Sequence, residues 1–236
     1  MKRFSAYYSR FIKWQERTRE PGLTALLVIE ATLLFVATPL ASIGWLPGFV
    51  LPAMFILFVL ATLVVTSRSH LAAGAVLISV ILSPVGTIIH ADYPSVLTEW
   101  LSAGGRLLAI GALSVVIAKA VFGPGRVTRH RVQGAIVLYM NFALFFFIIF
   151  QLIDVLVANA FTGLPKTGSE HGSGAALLYF SFGTLTTATF GDIQPVHPIA
   201  RNLANLEAMI GQLFPATLLA RLVTLEIAHR RPPKSD

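Results

Sequence analysis

Few residues in this chain could do chemistry, and most of those offer oxygen atoms rather than nucleophiles. The stretch Thr184-Leu185-Thr186-Thr187-Ala188-Thr189-Phe190-Gly191-Asp192 follows the apolar run 174–187. That run is too short to cross a bilayer, which takes about 20 apolar residues, so it suits an element that enters the membrane and stops. Backbone that is not helical survives at membrane depth only where protein buries it or where it lines a water-filled path. A half-helix with its C-terminus pointing inward also aims the negative end of its dipole at the centre. Hydroxyls, carbonyls and a negative dipole end together suit a cation. One such loop per chain cannot enclose a path, so a symmetric oligomer is implied. The remaining candidates are charges inside apolar segments, Glu30, Arg106 and Glu207, which are functional candidates by default.

The elements that must position these residues follow from composition. Among 236 residues, 55% are hydrophobic and 12% are charged, against about 25% charged in a soluble domain. Six apolar segments are long enough to span: 23–43, 49–65, 71–89, 100–122, 132–160 and 199–227. The predicted fold class is an all-α membrane protein, with six transmembrane helices and a re-entrant pore helix and loop between the fifth and sixth. Four regions follow: an amphipathic interfacial segment (1–22), a four-helix unit (23–125), a pore domain (126–228) and a tail (229–236). Phe4, Tyr7, Tyr8, Phe11 and Trp14 recur at helical spacing among basic residues, as in a helix lying at the inner interface.

The net charge of +7 is explained by orientation rather than by nucleic acid. With the N-terminus inside, the basic N-terminal cluster, Arg68, the group Arg126, Arg129 and Arg131, and the C-terminal Arg230, Arg231 and Lys234 all fall on the inner side. The outer loops are expected to hold only Lys166. That pattern obeys the positive-inside rule and predicts a multi-pass protein of the cytoplasmic (inner) membrane with both termini cytoplasmic. Membrane lipids are expected partners; nucleic acid and a soluble ligand-binding domain are not. The chain has no cysteine, no Walker motif, no HExxH metal site and no serine-nucleophile elbow, so no enzyme is expected.

On these residues the chain resembles the potassium channel superfamily. Thr186-Thr187-Ala188-Thr189-Phe190-Gly191-Asp192 is similar to that family's filter, a Thr-Thr pair followed by Val-Gly-Tyr-Gly-Asp. Tyr179-Phe180-Ser181-Phe182 sits like the aromatic start of its pore helix. Gly211, 20 residues after Gly191, sits where the family has an inner-helix hinge. The resemblance implies a homotetramer in which backbone carbonyls replace the water shell of a permeant monovalent cation, potassium foremost. Thr187 would offer hydroxyl and carbonyl; Ala188, Thr189 and Phe190 would offer carbonyls; Gly191 and Asp192 would form the outer mouth. No other cofactor is implied.

Thr189 departs from the pattern, because it replaces the first filter glycine. A β-branched residue at positive φ is an outlier, costing about 1–3 kcal/mol per chain. Altered or weak potassium selectivity is therefore expected. Gly183 leaves the pore helix without a carboxylate to brace Asp192, and Phe190 lacks a phenol hydroxyl. In the inner helix, Gly211 and Pro215 are candidates for a gating bend. Gln212 is expected to face the cavity, and Leu219 and Val223 continue the face of Pro215 as an apolar constriction. Glu30 and Arg106 are expected to pair, and Glu207 to brace the pore helix. A voltage sensor needs several regularly spaced arginines, but the fourth segment holds only Arg106 and Lys119. One charge across the field is worth about 2.3 kcal/mol per 100 mV, so opening in planar-bilayer recordings should vary only weakly with voltage. Two other classes remain open: a non-conducting relative serving as a membrane scaffold or sensor, and a secondary transporter. The latter should carry an inverted internal repeat, and none is visible.

Overall fold

The computed structural model describes residues 22–47, 49–66, 69–93, 95–123, 128–165 and 170–230. Residues 1–21 of the interfacial segment expected over 1–22, Arg68, Arg126, Lys166 and the last six residues lie outside them. The described chain is mostly helical. Helix α1 spans Gly22–Ala41, α2 Val50–Thr66, α3 His70–Asp92, α4 Val96–Val121 and α5 Arg129–Leu156. Strand β1 (Phe161–Thr162), helix α6 (Glu170–Leu185), strand β2 (Gln194–Pro195) and helix α7 (Pro198–Arg230) complete the order.

Five of these helices, α1, α3, α4, α5 and α7, are long and apolar enough to cross a membrane. Helix α2 has 17 residues, about 26 Å at 1.5 Å per residue. That is short of the roughly 30 Å hydrocarbon core, so a sixth span rests on the sequence pattern. Arg201, placed in the sixth apolar segment by sequence, sits in the first turns of α7 and is exposed there.

Local chemistry sets several helix ends. Ser69 accepts a hydrogen bond from the Ala72 amide at the start of α3. Ser95 and Thr98 form a reciprocal capping box at the start of α4. Glu99 in the first turn of α4 and Lys119 in its last turn match the two ends of the helix dipole. Within α1 the Thr38 hydroxyl donates to the Leu33 carbonyl at 2.8 Å, beside a π-helical turn over Leu33–Ala37. The adjacent Phe35 ring meets Phe182 of α6 edge-on at 5.1 Å.

Small residues bring α3 and α4 together. A Cβ on Gly86 would stand 2.7 Å from the Ser102 amide nitrogen, and one on Gly105 would stand 2.8 Å from that of Ser83. Close backbone approach of this kind is how helices pack where lipid leaves no hydrophobic drive between them. The inner ends of α1, α2, α4 and α5 share one core of Leu23, Leu26, Val65, Leu113, Ile117, Val121, Ala135, Val137 and Leu138. Toward the outer side α5 is packed by α6 and α7 around Phe146, Phe150, Phe161, Leu177 and Phe180.

Candidate pore loop and its bracing

Helix α6 ends at Leu185, two residues before the apolar run suggested. Thr187 takes φ 57, and a left-handed residue cannot continue a right-handed helix. The turn is closed by the Thr187 amide on the Thr184 carbonyl (3.0 Å) and the Ala188 amide on the Gly183 carbonyl (2.8 Å). Residues Thr186 to Asp192 are then irregular and exposed in the single chain.

Thr189 does not take a positive φ. Among the described residues, positive φ falls on Asn159, Thr187, Gly44, Gly163 and Gly191. The loop has positive φ at Thr187 (φ 57) and at Gly191 (φ 80). Thr187 is β-branched like Thr189, so its left-handed backbone carries a strain of about 1–3 kcal/mol.

Asp192 has a brace after all, from one turn earlier on α6 than Gly183. The Tyr179 hydroxyl donates to Asp192 Oδ1 at 3.3 Å. The Tyr179 ring stacks on Phe190, with centroids 6.2 Å apart and planes 8° from parallel. Gln194 Nε2 donates to the Gly191 carbonyl at 2.9 Å. The exit of the loop is tied down by β1 pairing antiparallel with β2, Phe161 opposite Pro195 and Thr162 opposite Gln194. Gly163 (φ +83) lies so close to Asp192 that a Cβ there would overlap the Asp192 carbonyl. Sequence alone gave no sign of this contact, because it joins residues 29 positions apart through a two-residue strand.

Beneath the loop, α5, α6 and α7 are joined by two polar layers one helical turn apart. In the outer layer the Ser181 hydroxyl lies 2.7 Å from the Ala143 carbonyl and 2.5 Å from Glu207 Oε1. In the inner layer the Tyr139 hydroxyl donates to the Leu185 carbonyl (3.1 Å), with a longer contact to the Gly211 carbonyl (3.4 Å). Glu207 on α7 thus contacts α6 through Ser181. Tyr139 was not legible as part of the site; a lone tyrosine in an apolar run reads as an interface anchor.

Gly211 and Pro215 both lie within α7, which runs unbroken through them. A Cβ on Gly211 would stand 1.8 Å from the Leu185 carbonyl oxygen. The glycine therefore sits where α7 touches the C-terminus of α6. Gln212, Leu219 and Val223 are all exposed along α7, Leu219 by 65%, on a face that no part of the single chain covers.

The expected Glu30–Arg106 pair does not form. Both Glu30 carboxylate oxygens are buried without a hydrogen-bond partner. Arg106 instead donates from a terminal guanidinium nitrogen to Gln151 Oε1 on α5 at 2.8 Å. Depth explains the difference: Leu26 packs in one cluster with Leu113 and Ile117. Glu30, one turn above Leu26, is therefore about a turn short of Arg106. Arg106 ties α4 to α5.

Residues 134–227, from the second turn of α5 to near the end of α7, match the model of a protein family described as Ion channel. No curated protein and no solved structure matches the chain. The family match covers α5, α6, the loop and α7 and leaves out α1 to α4. This stretch is therefore similar to an ion channel domain, and the five long apolar helices suit a multi-pass, mostly helical membrane protein. Families of this class are generally non-enzymatic.

Proposed function

We propose that the chain forms a homotetrameric, six-span, potassium-channel-like channel of the cytoplasmic membrane. Four copies of the loop Thr187, Ala188, Thr189, Phe190, Gly191 and Asp192 surround one axis and pass monovalent cations. The observation that carries this reading is α6 itself: a 16-residue helix that stops at Leu185 and hands over to an exposed oxygen-lined loop, braced from behind by Tyr179 and lying inside the ion-channel match. The exposed face of α7 with Gln212, Leu219 and Val223 lines the inner half of the path. Arg106 is tied to Gln151, which supports a channel without a mobile voltage-sensing charge.

The loop geometry supports a reading of weak potassium selectivity. Carbonyls from Ala188 to Phe190 are oriented by a chain whose left-handed residue is Thr187 rather than Thr189, which alters the ring of oxygens facing the ion. The test is cation flux into liposomes holding purified wild type or Thr189→Gly. Wild type should carry potassium and sodium at similar rates. The glycine variant should gain about tenfold in potassium over sodium, equivalent to about 1.4 kcal/mol, because glycine at 189 frees that position to take a left-handed backbone. Equal potassium selectivity in both proteins would reject the altered filter. Absence of flux from intact tetramers under all ionic conditions would favour a non-conducting membrane scaffold.

A further inference from the structure

The outer polar layer contains more oxygen contacts than one hydroxyl can serve. Ser181 Oγ stands at hydrogen-bond distance from two oxygens, the Ala143 carbonyl at 2.7 Å and Glu207 Oε1 at 2.5 Å. A serine hydroxyl has one proton to give, and a carbonyl has none. If Glu207 were ionised, Ser181 would donate to the carboxylate and face the Ala143 carbonyl lone pair to lone pair. If Glu207 carries a proton on Oε1, it donates to Ser181 Oγ while Ser181 donates to Ala143, and both contacts are satisfied. Burial argues the same way. Glu207 is 0% exposed, its Oε2 has no hydrogen-bond partner, and a buried carboxylate without a cation is strongly disfavoured.

Among the described residues, the packed elements offer no compensating positive charge. On α5 the facing ionisable group is Tyr139, one turn inward, whose hydroxyl is engaged with Leu185 and Gly211. On α6 the nearby titratable group is Tyr179, engaged with Asp192. From α1, Phe35 meets Phe182, and the buried acid of that helix, Glu30, has no hydrogen-bond partner. On α7 itself the nearest cation in sequence is Arg201, which is exposed.

We propose that Glu207 is a proton-binding site, a neutral carboxylic acid whose proton completes the Glu207–Ser181–Ala143 chain and clamps the inner helix, pore helix and outer helix together behind the filter loop. Loss of the proton leaves a carboxylate against the pore helix and breaks one link of the chain. The proton site stands on the hydrogen-bond geometry alone; its effect on conduction rests on the channel reading.

Infrared difference spectra of the full-length protein, wild type minus Glu207→Gln, test the site directly. At neutral pH a protonated-carboxyl stretching band is expected, lost on raising the pH. In Ser181→Ala, which keeps the acid but removes its acceptor, the band should move to higher frequency. A difference spectrum holding only carboxylate bands, or a band indifferent to Ser181→Ala, would overturn the proposal. Amide exchange gives a second readout. Corrected for the intrinsic base-catalysed rate, exchange at Leu185, Thr186 and Thr187 should rise about tenfold in alkaline wild type, the equivalent of one lost hydrogen bond. In Glu207→Gln it should stay flat, and a matching rise there would also overturn the proposal. Neither readout needs ion flux. A protein that shows the infrared band but never conducts would retain the proton site and lose the channel reading.

Discussion

Gly211→Ala is expected to prevent stable assembly of the pore unit rather than merely to alter how it opens. The added methyl would stand 1.8 Å from the Leu185 carbonyl oxygen, 2.7 Å from its carbon and 3.1 Å from Leu185 Cα. All three are backbone atoms at the end of α6, so no side-chain rotation relieves the overlap. The two helices must separate by more than 1 Å, and that movement also pulls on the Tyr139 hydroxyl, which spans Leu185 and Gly211. Overpacking against a rigid neighbour costs about 1–3 kcal/mol, and a lost hydrogen bond adds about 1 kcal/mol. The sum is about 3 kcal/mol per chain and recurs in each chain of an oligomer. Size-exclusion chromatography and thermal unfolding in detergent should show a lower midpoint and less intact oligomer. Tyr139→Phe is the control: it removes only the hydroxyl and should cost about 1 kcal/mol. If Gly211→Ala assembles with wild-type stability and changes only gating, its role is that of a hinge and the close contact is unimportant.

Phe150→Ala should have an effect of similar size at the other end of the same unit. Phe150 is fully buried, and its ring meets Phe146, Phe161 and Phe180 at centroid distances of 6.2, 5.8 and 5.2 Å. These rings belong to α5, β1 and α6, so the cavity would open where three elements meet. A buried Phe→Ala substitution costs about 3–5 kcal/mol. The lost dispersion contacts count in a membrane as they do in water, because lipid does not fill the interior of a helix bundle. The damage should also reach the loop, since Phe161 is paired with Pro195, three residues beyond Asp192. Detergent unfolding should give a midpoint well below wild type, with faster proteolysis between β1 and α6. Phe150→Leu, which fills more of the space, should recover most of the loss. Equal stability of Phe150→Ala and wild type would mean that this cluster does not hold the outer end of α6.

The two substitutions mark the limit of what sequence could reveal. Phe150 sits in a run of aromatics whose burial is expected, yet the run gave no means of telling it from Phe145, which is 37% exposed. Gly211 was noticed for its place after Gly191 and read as a bend. Its contact with Leu185 could not be seen, because nothing local to either residue records how closely two helices approach. Thr189 shows a related limit. Its β-branched type warned that a left-handed backbone would be strained, but only the folded loop shows that the left-handed residue is Thr187, a threonine too.

What the sequence determined by itself was the membrane setting, the apolar segments and the location of the loop after a short apolar helix. These follow from hydrophobic length and from one polar interruption, both properties of contiguous residues. The tertiary structure decided the partnerships: Arg106 with Gln151 instead of Glu30, Tyr179 with Asp192, Tyr139 with Leu185 and Gly211, and Ser181 between Ala143 and Glu207. Each depends on the depth and rotation at which two helices meet. Those are fixed by shape complementarity over the whole interface rather than by the type of any one residue.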